Sequence, residues 1–422
     1  ERVRRAVDVG KHGFDRRQSA AQTGCLSREG DGLTVTGAFG ENVDGLPEAE
    51  KSAWADLRKR LLFQAALLAR FDAETPMQPH DAGKLQKLQL VKAAARLKFA
   101  GNTELRQFLR MALMCVADVV DESLKDDRLK GLLSFDATLG IRLGPRSPTS
   151  LLGLYHKLAS GAAGSQIIPK GGMGAVMQTF HSAAKAAGVT FVMSTKVTEI
   201  LLEAGVAKGV TTSTGETFHA PCVISALSPV TTFLDLVGAP NLDTGFVRDI
   251  RTIRWQGNVS RLNLALDRPP EFTGLAAKHL SARLVWAPLV DHVEKNFNPS
   301  KYGEMPDAPA FELVVPSATD ATMAPDGAAT MSIAIQNTPY DLNEGWEAGE
   351  KQLEKTVMAQ LEKLAPGIGK SVLASELLSP VDIESRFHAL GGHWHHGELQ
   401  VDRLYALRPV FGAAHYRAPI SG

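Results

Sequence analysis

The sequence predicts an α/β protein. An incomplete Rossmann-like, dinucleotide-binding domain is interleaved with an α+β domain of mixed sheet and helices. Three observations predict it. Residues 165–235 run from a Gly-rich turn into a helix, then a hairpin, then the apolar segment CVISAL. That is the order in which the second half of a dinucleotide-binding domain returns to its sheet. A mainly helical block, 47–160, sits between two Gly-rich, strand-bearing blocks. Two later stretches, 258–267 and 328–337, alternate apolar and polar residues as half-buried strands do. A chain of 422 residues holds about two or three domains' worth of core.

Taken in order, residues 1–46 are a strand-bearing piece joining the two domains. CLSREGDGLTVTG reads as strand, turn, strand, with Glu29-Gly30-Asp31-Gly32 as the turn. Residues 47–160 are the helical part of the second domain. Pro47 suits a first helical turn, and Trp54, Leu57, Leu61, Leu62, Ala65, Leu68 and Ala69 recur at helical spacing until Pro76 and Pro79 end the run. Further helices are predicted over 84–98, 103–120, 126–134 and, after the loop 143–150, in LLGLYHKLA. Residues 161–238 are the second part of the dinucleotide-binding domain. PKGGMGAV opens a helix, VTFVMSTKVTEILLE and GVTTSTGETFHA form a hairpin with a second turn at Gly215, and CVISAL reads as a buried strand. Residues 239–395 carry the mixed sheet. NVSRLNLALD and AATMSIAIQN are strands, 344–366 is an amphipathic helix ended by Pro366, and SVLASELL is a strand before a turn at Pro380 and a new helix. Residues 396–422 return toward the first domain.

Lys+Arg and Asp+Glu are equal at 46 each, and no basic stripe is interleaved with aromatics, which argues against a nucleic-acid partner. No apolar run reaches a transmembrane span; the longest, 111–120, contains Asp118. The opening residues have no apolar signal-peptide core. Cys25, Cys115 and Cys222 are far apart and form no CxxC, which points to a reducing, cytoplasmic compartment with Cys115 and Cys222 as small core residues. Apolar helices within 84–160 either frame a tunnel for a lipid-like substrate, with peripheral membrane contact, or simply pack as core. The first residue is not Met and the last residues break off in mid-pattern, so the sequence reads as the middle of a longer enzyme.

PKGGMGAV is a Gly-rich turn at a helix start, which can approach an anion or a flat ring closely. It is an imperfect dinucleotide fingerprint: Gly172 and Gly174 supply the first G-x-G, but Met177 stands at the third position. Glu199 lies about 25 residues past the glycines, near where a ribose-binding acid belongs. The main chain at Val197 can pair with an adenine edge, and the small residues Ser225 and Ala226 let a cofactor lie against the end of CVISAL. GGHWHHGEL (391–399) admits a metal reading through His393, His395 and Glu398. On a strand His393 and His395 would share a face. Its spacing is wrong for a cupin-like site, and no HExxH is present, so no metal ligand is assigned. The same residues also read as a polar, aromatic active-site wall or as a structural strand. No GxSxG, Walker A, kinase or EF-hand motif occurs.

Six stretches in order carry a resemblance: LKGLLSFDATLGIRLGPRSP (129–148), IPKGGMGAVMQ (168–178), VISALSPVTTFLDLVG (223–238), LDTGFVRDIRTIR (242–254), NVSRLNLALD (258–267) and HGELQVDRLYALRPVFGAAHYRAPISG (396–422). Together they resemble the phytoene-desaturase-like branch of the FAD-dependent amine oxidase superfamily. The resemblance implies FAD as cofactor and an FAD/NAD(P)-binding Rossmann-like domain. It implies hydride transfer from a substrate C–H to flavin, with double-bond formation or a related oxidation or isomerisation of an apolar small molecule. It also implies cofactor contacts at Gly171, Gly172, Val197 and Ala226. The family's N-terminal GxGxxG unit and its C-terminal Gly-rich segment have no counterpart in this sequence. No catalytic residue is assigned; His395 and His396 are the candidates for lining the substrate side. Two alternatives stand beside this reading: a non-catalytic binding or assembly protein that keeps the fold, and a metal-dependent enzyme using His393, His395 and Glu398.

Overall fold

The computed structural model describes residues 16–17, 22–73, 91, 101–159, 168–404, 407–410, 412–414 and 416–422. Strands β1 (Arg16–Arg17), β2 (Thr23–Cys25), β3 (Leu33–Thr36) and β4 (Asn42–Asp44) lead into helix α1 (Glu48–Ala73). Helices α2 (Asn102–Met111), α3 (Val116–Ser123), α4 (Asp127–Thr138) and α5 (Leu151–Ala159) come next. After β5 (Ile168–Pro169) and α6 (Gly172–Ala186) come β6 (Val197–Glu203), β7 (Val206–Thr212) and β8 (Thr217–His219). The segment α7 (Val230–Gly238) is wound as a π-helix and precedes α8 (Thr244–Arg251). Then come β9 (Val259–Leu266), β10 (Arg283–Trp286), α9 (Val290–Ser300), β11 (Phe311–Val314), β12 (Ala329–Gln336), α10 (Trp346–Leu364), β13 (Val372–Leu378) and α11 (Pro380–Phe387).

Local chemistry sets several of these boundaries. Asp126 caps α4 by accepting from the Arg128 and Leu129 N–H groups, and Ser379 with Asp382 forms a capping box on α11. The helix predicted over 103–120 is two helices. It breaks at 112–115, where Leu113 O accepts from Thr149 N–H and Cys115 Sγ caps α3 through Asp118 N–H. The Val116 N–H freed by the break is taken by Ser150 Oγ at 2.9 Å. Apart from residue 91, which is helical, the predicted helix 84–98 lies outside the described residues, as do the helix-ending prolines Pro76 and Pro79.

The chain divides into two compact units. The larger, within 1–69, 100–189 and 256–394, is built on an eight-stranded sheet in the order β13-β9-β12-β11-β10-β2-β3-β4. Every neighbouring pair is antiparallel except β10 and β2. Alternation along β9 sends Leu262, Leu264 and Leu266 to one face, where they join Met331, Ile333 and Ile335 of β12 against Leu353, Val357 and Leu361 of α10. On the other face, the β10–β4 half is covered by α1, α3, α4 and α5 through Leu33, Val35, Leu57, Val116, Phe135 and Leu154, among others. The β13–β11 half of that face carries the half-buried polar residues Arg261, Asn263 and Ser332.

The smaller unit, within 70–99, 190–255 and 395–422, contains the antiparallel sheet β6-β7-β8. Ile200, Ala207, Leu236 and Val237 form its buried core. Two predicted strand segments are absent from any sheet here. Residues 190–196 precede β6 without strand pairing, with Met193 75% exposed, and CVISAL is extended but unpaired as a strand, with Ile224 91% exposed. An all-apolar strand needs partners on both edges and cover on both faces, and the described residues supply neither. Cys222 is consequently exposed rather than a core residue, whereas Cys25 and Cys115 are buried. Ser421 makes a parallel bridge to Val206, and Gly422 O accepts from Val223 N–H at 2.7 Å.

Candidate functional site

Two of the predicted cofactor residues, Val197 and Ala226, lie in the smaller unit. Ser213 N–H donates to Lys196 O at 2.7 Å, which makes Val197 and Thr212 a non-hydrogen-bonded pair. The main-chain N–H and C=O of Val197 therefore point away from β7, toward the open edge of β6. Ala226 is exposed in the extended CVISAL segment, and Val223 of that segment packs on the same cluster as Val197. The edge of β6 that carries these groups pairs with no strand among the described residues.

Gly171 and Gly172 lie in the larger unit. Both have left-handed φ, +76° and +70°, which glycine alone adopts without strain. The Gly171 N–H donates to Asp320 Oδ2 at 2.6 Å, and Met323 lies where a Gly172 Cβ would point. The anion received by this helix start is thus a carboxylate of the chain itself.

The GGHWHHGEL segment is not a strand. Leu390–Gly392 is a 3-10 turn, Gly391 and Gly392 have φ of +65° and +59°, and His396 has φ +56°. The alternation that would have placed His393 and His395 on one face is therefore missing. His393 and Glu398 are buried, His395 is half-buried and His396 is exposed. Among the described residues no three His, Cys, Asp or Glu side chains converge to hold a metal ion, so the metal-dependent reading has no geometry to support it.

The sequence reading missed the open half-face of the eight-stranded sheet. Arg261 on β9 stands beside Ala334 of β12 and Leu378 of β13. Its Nη1 donates to Ser332 Oγ at 3.0 Å, and Ser332 Oγ donates to Asn263 Oδ1 at 2.7 Å. The guanidinium lies over the Trp394 ring, 5.4 Å from its centroid. Burial holds the Arg261 pKa below its ordinary value. The alternation in NVSRLNLALD marks Arg261 and Asn263 as one face, but nothing in the sequence links Arg261 to Trp394.

Next to this face runs an ionic chain centred on the buried Arg283. Asp136 of α4 meets both Lys157 Nζ and Arg283 Nη2 at 2.5 Å, and Arg283 Nε donates to Glu312. Burial alone would raise the Asp136 pKa, but Arg283 and Lys157 hold it below the usual carboxylate value. Cys25 beside it is pushed up to about 12 by burial and then by Asp136, so its thiol stays protonated and inert. Among the described residues no helix is long and apolar enough to cross a membrane.

Comparison with known proteins agrees with this architecture. The flavin containing amine oxidoreductase family matches residues 40–394. The chain is 32% identical over 361 residues to pyridine nucleotide-disulfide oxidoreductase domain-containing protein 2 of Mus musculus, covering 80% of this chain and 61% of that protein. It is 25% identical over 279 residues to the phytoene desaturase (neurosporene-forming) of Cereibacter sphaeroides, covering 63% and 50%. Among solved structures, an oxidoreductase from Methanosarcina mazei superposes with a TM-score of 0.53 at 14% identity, over 89% of this chain and 72% of that one. Putrescine oxidase bound to putrescine does so at 0.52 and 14%, over 88% and 70%. These two likenesses establish the fold. The chain spans 61% of the length of its mouse relative. FAD is the cofactor of the family, and the chain belongs to the flavin containing amine oxidoreductases.

Proposed function

We propose that this chain is part of an FAD-dependent oxidoreductase that oxidises a C–H bond of a small, largely apolar molecule. The observation that carries the reading is the family match across residues 40–394. Similarity to a phytoene desaturase supports the apolar substrate. When bound, flavin supplies the redox chemistry by accepting hydride from the substrate, and the protein supplies position and dryness.

The residues of this chain divide that work. Val197 offers its outward N–H and C=O to the adenine edge. Ala226 keeps the approach clear of bulk. Gly171 and Gly172 present a surface without side chains at the start of α6, with the Gly171 N–H already engaged by Asp320. His395 and His396 line the substrate side as neutral donors or acceptors. The placement is in the cytoplasm, with at most peripheral membrane contact.

Flavin retention tests the reading. The full-length protein, purified in the presence of FAD, should keep the flavin absorption bands through gel filtration. Val197→Pro removes an N–H that the β6–β7 ladder does not use, and Pro is tolerated on an open strand edge. It should weaken FAD by about tenfold, the worth of one well-made hydrogen bond, and Ala226→Trp should weaken it further. If the protein retains no flavin, or if both variants bind FAD like the parent, the reading is wrong.

A further inference from the structure

We propose that Arg261 receives the carboxylate of an acidic, otherwise apolar small molecule on the open half-face of the eight-stranded sheet. The proposal deepens the oxidoreductase reading and rests on it only for the claim that this acid is the substrate.

Arg261 is half-buried, and a guanidinium cannot escape the cost of burial by losing its proton. Fully buried cations are almost always paired, and a half-buried one bears part of the same desolvation cost. Among the described residues no Asp or Glu comes within ion-pairing distance of Arg261. The two acids nearest along the sheet are engaged elsewhere: Glu312 accepts from Arg283 Nε, and Glu376 accepts from Arg386 Nη1 at 2.6 Å. The neighbouring chain of Lys157, Asp136, Arg283 and Glu312 sets two cations against two anions; Glu312 acts on Arg261 only through space and makes no ion pair with it.

Geometry narrows the ligand. Nη1 is spent on Ser332 Oγ. The adjacent Nε and Nη2 donors remain along one edge of the guanidinium, the two-pronged edge that matches the two oxygens of a carboxylate. The group is held for that purpose from two sides. Ser332 fixes one corner, and Trp394 lies under the plane. Trp394 is itself wedged against Gly140, whose Cβ, if present, would lie 2.6 Å from the Trp394 Cβ. Around this cation lie Ala334 beside Arg261, Leu378 across on β13, Val314 one row away and the indole itself, while the two carboxylates of this face, Glu312 one strand beyond Ala334 and Glu376 one row away on β13, are each held by an arginine of their own. An acid head with an apolar body fits that combination; a neutral hydrocarbon leaves the guanidinium unpaired, and a polyanion exceeds the single cation.

Octanoate, octanol and octyl phosphate are the probes, titrated calorimetrically into the purified protein, with flavin retention measured on the same samples. Octanoate should bind, octanol at least about tenfold more weakly. Arg261→Gln should cost octanoate about tenfold or more while leaving octanol unchanged, and Arg261→Lys should recover part of the loss, since it restores charge without the fork. In the unmodified protein, octanoate should protect Arg261 from phenylglyoxal, read by peptide mass spectrometry, which keeps the test valid should a variant fold poorly. The proposal is overturned if octanoate binds no better than octanol, if octyl phosphate binds more tightly than octanoate, if Arg261→Gln leaves octanoate affinity intact, or if Arg261 is not protected. Loss of flavin from every sample would instead strike the oxidoreductase reading and leave the carboxylate site standing as a binding site.

Discussion

The His292 imidazole on α9 lies edge-on to Trp286, with ring centroids 5.9 Å apart and planes at 73°. Its Nε2 is buried with no hydrogen-bond partner among the described residues. Burial, and then the nearby Arg28 and Lys295, lower its pKa from 6.5 to about 4. Between those values the unfolded chain holds a proton that the folded chain refuses. Stability therefore rises with pH across this window and falls as the solution is acidified, by up to about 3 kcal/mol. Asp136 also has a lowered pKa, but its contribution is lost only below its ordinary value of 3.8, so the two effects separate. Urea unfolding between pH 7 and pH 4.5 should show the His292 slope, and His292→Phe, which keeps the ring against Trp286, should flatten it. An unchanged slope would assign the acid sensitivity elsewhere. At this scale the sequence was readable where a residue's role depends on its neighbours in the chain. Arg261 and Asn263 could be placed on one sheet face, and Cys115 could be placed in the core. The role of Trp394 depends on Gly140 and Arg261, both remote in sequence, and Cys222 depends on whether a strand has partners.

At the scale of elements, close approach of backbones decides two glycines that composition cannot separate. A Cβ on Gly131 in α4 would lie 2.0 Å from Ala287 O, and one on Gly153 in α5 would lie 2.0 Å from Ala137 O. A carbonyl oxygen cannot rotate away as a side chain does, so the elements themselves would have to separate. Alanine in a helix interior normally stabilises by about 1 kcal/mol over glycine. Gly131→Ala should instead cost about 3 kcal/mol. Gly174 in α6 has nothing within 4 Å of its Cβ position, so Gly174→Ala should be neutral or stabilising by about 0.5–1 kcal/mol. Denaturant midpoints of the two variants, compared with the parent, check the pair, and similar shifts in both would refute the packing account. Elements whose period is complete within their own residues were legible: β9, β12, β13 and α10 fall where alternation or helical spacing puts them. The division of 102–123 into α2 and α3 was not, because it depends on Thr149, Pro145 and Ser150 reaching back to the break.

Across the molecule, the two units differ in how much core protects their strands. The larger sheet has apolar layers over the β13–β10 part of one face and the β10–β4 half of the other, covered by α10 on the first and by α1, α3, α4 and α5 on the second. Among the described residues the smaller sheet β6-β7-β8 rests on four buried side chains, Ile200, Ala207, Leu236 and Val237. β8 is exposed throughout, and CVISAL leaves Ile224 and Leu227 in solvent. Local opening free energy scales with buried apolar contacts, so the amides of β6–β8 should open well below the global unfolding free energy while those of β9 and β12 approach it. Hydrogen exchange read by mass spectrometry should show β6–β8 peptides exchanging at least about a hundredfold faster than the β9–β12 pair, a gap of about 3 kcal/mol. If FAD lies along the open edge of β6 as proposed, adding it should slow exchange in β6 and around 222–227, because a ligand that binds only the closed form stabilises it by mass action. The β9–β12 amides, already near the global limit, should barely respond. Equal protection of both sheets without FAD would mean that the smaller core is better supported than its four side chains allow. Unchanged β6 exchange with FAD bound would place the cofactor elsewhere in the protein.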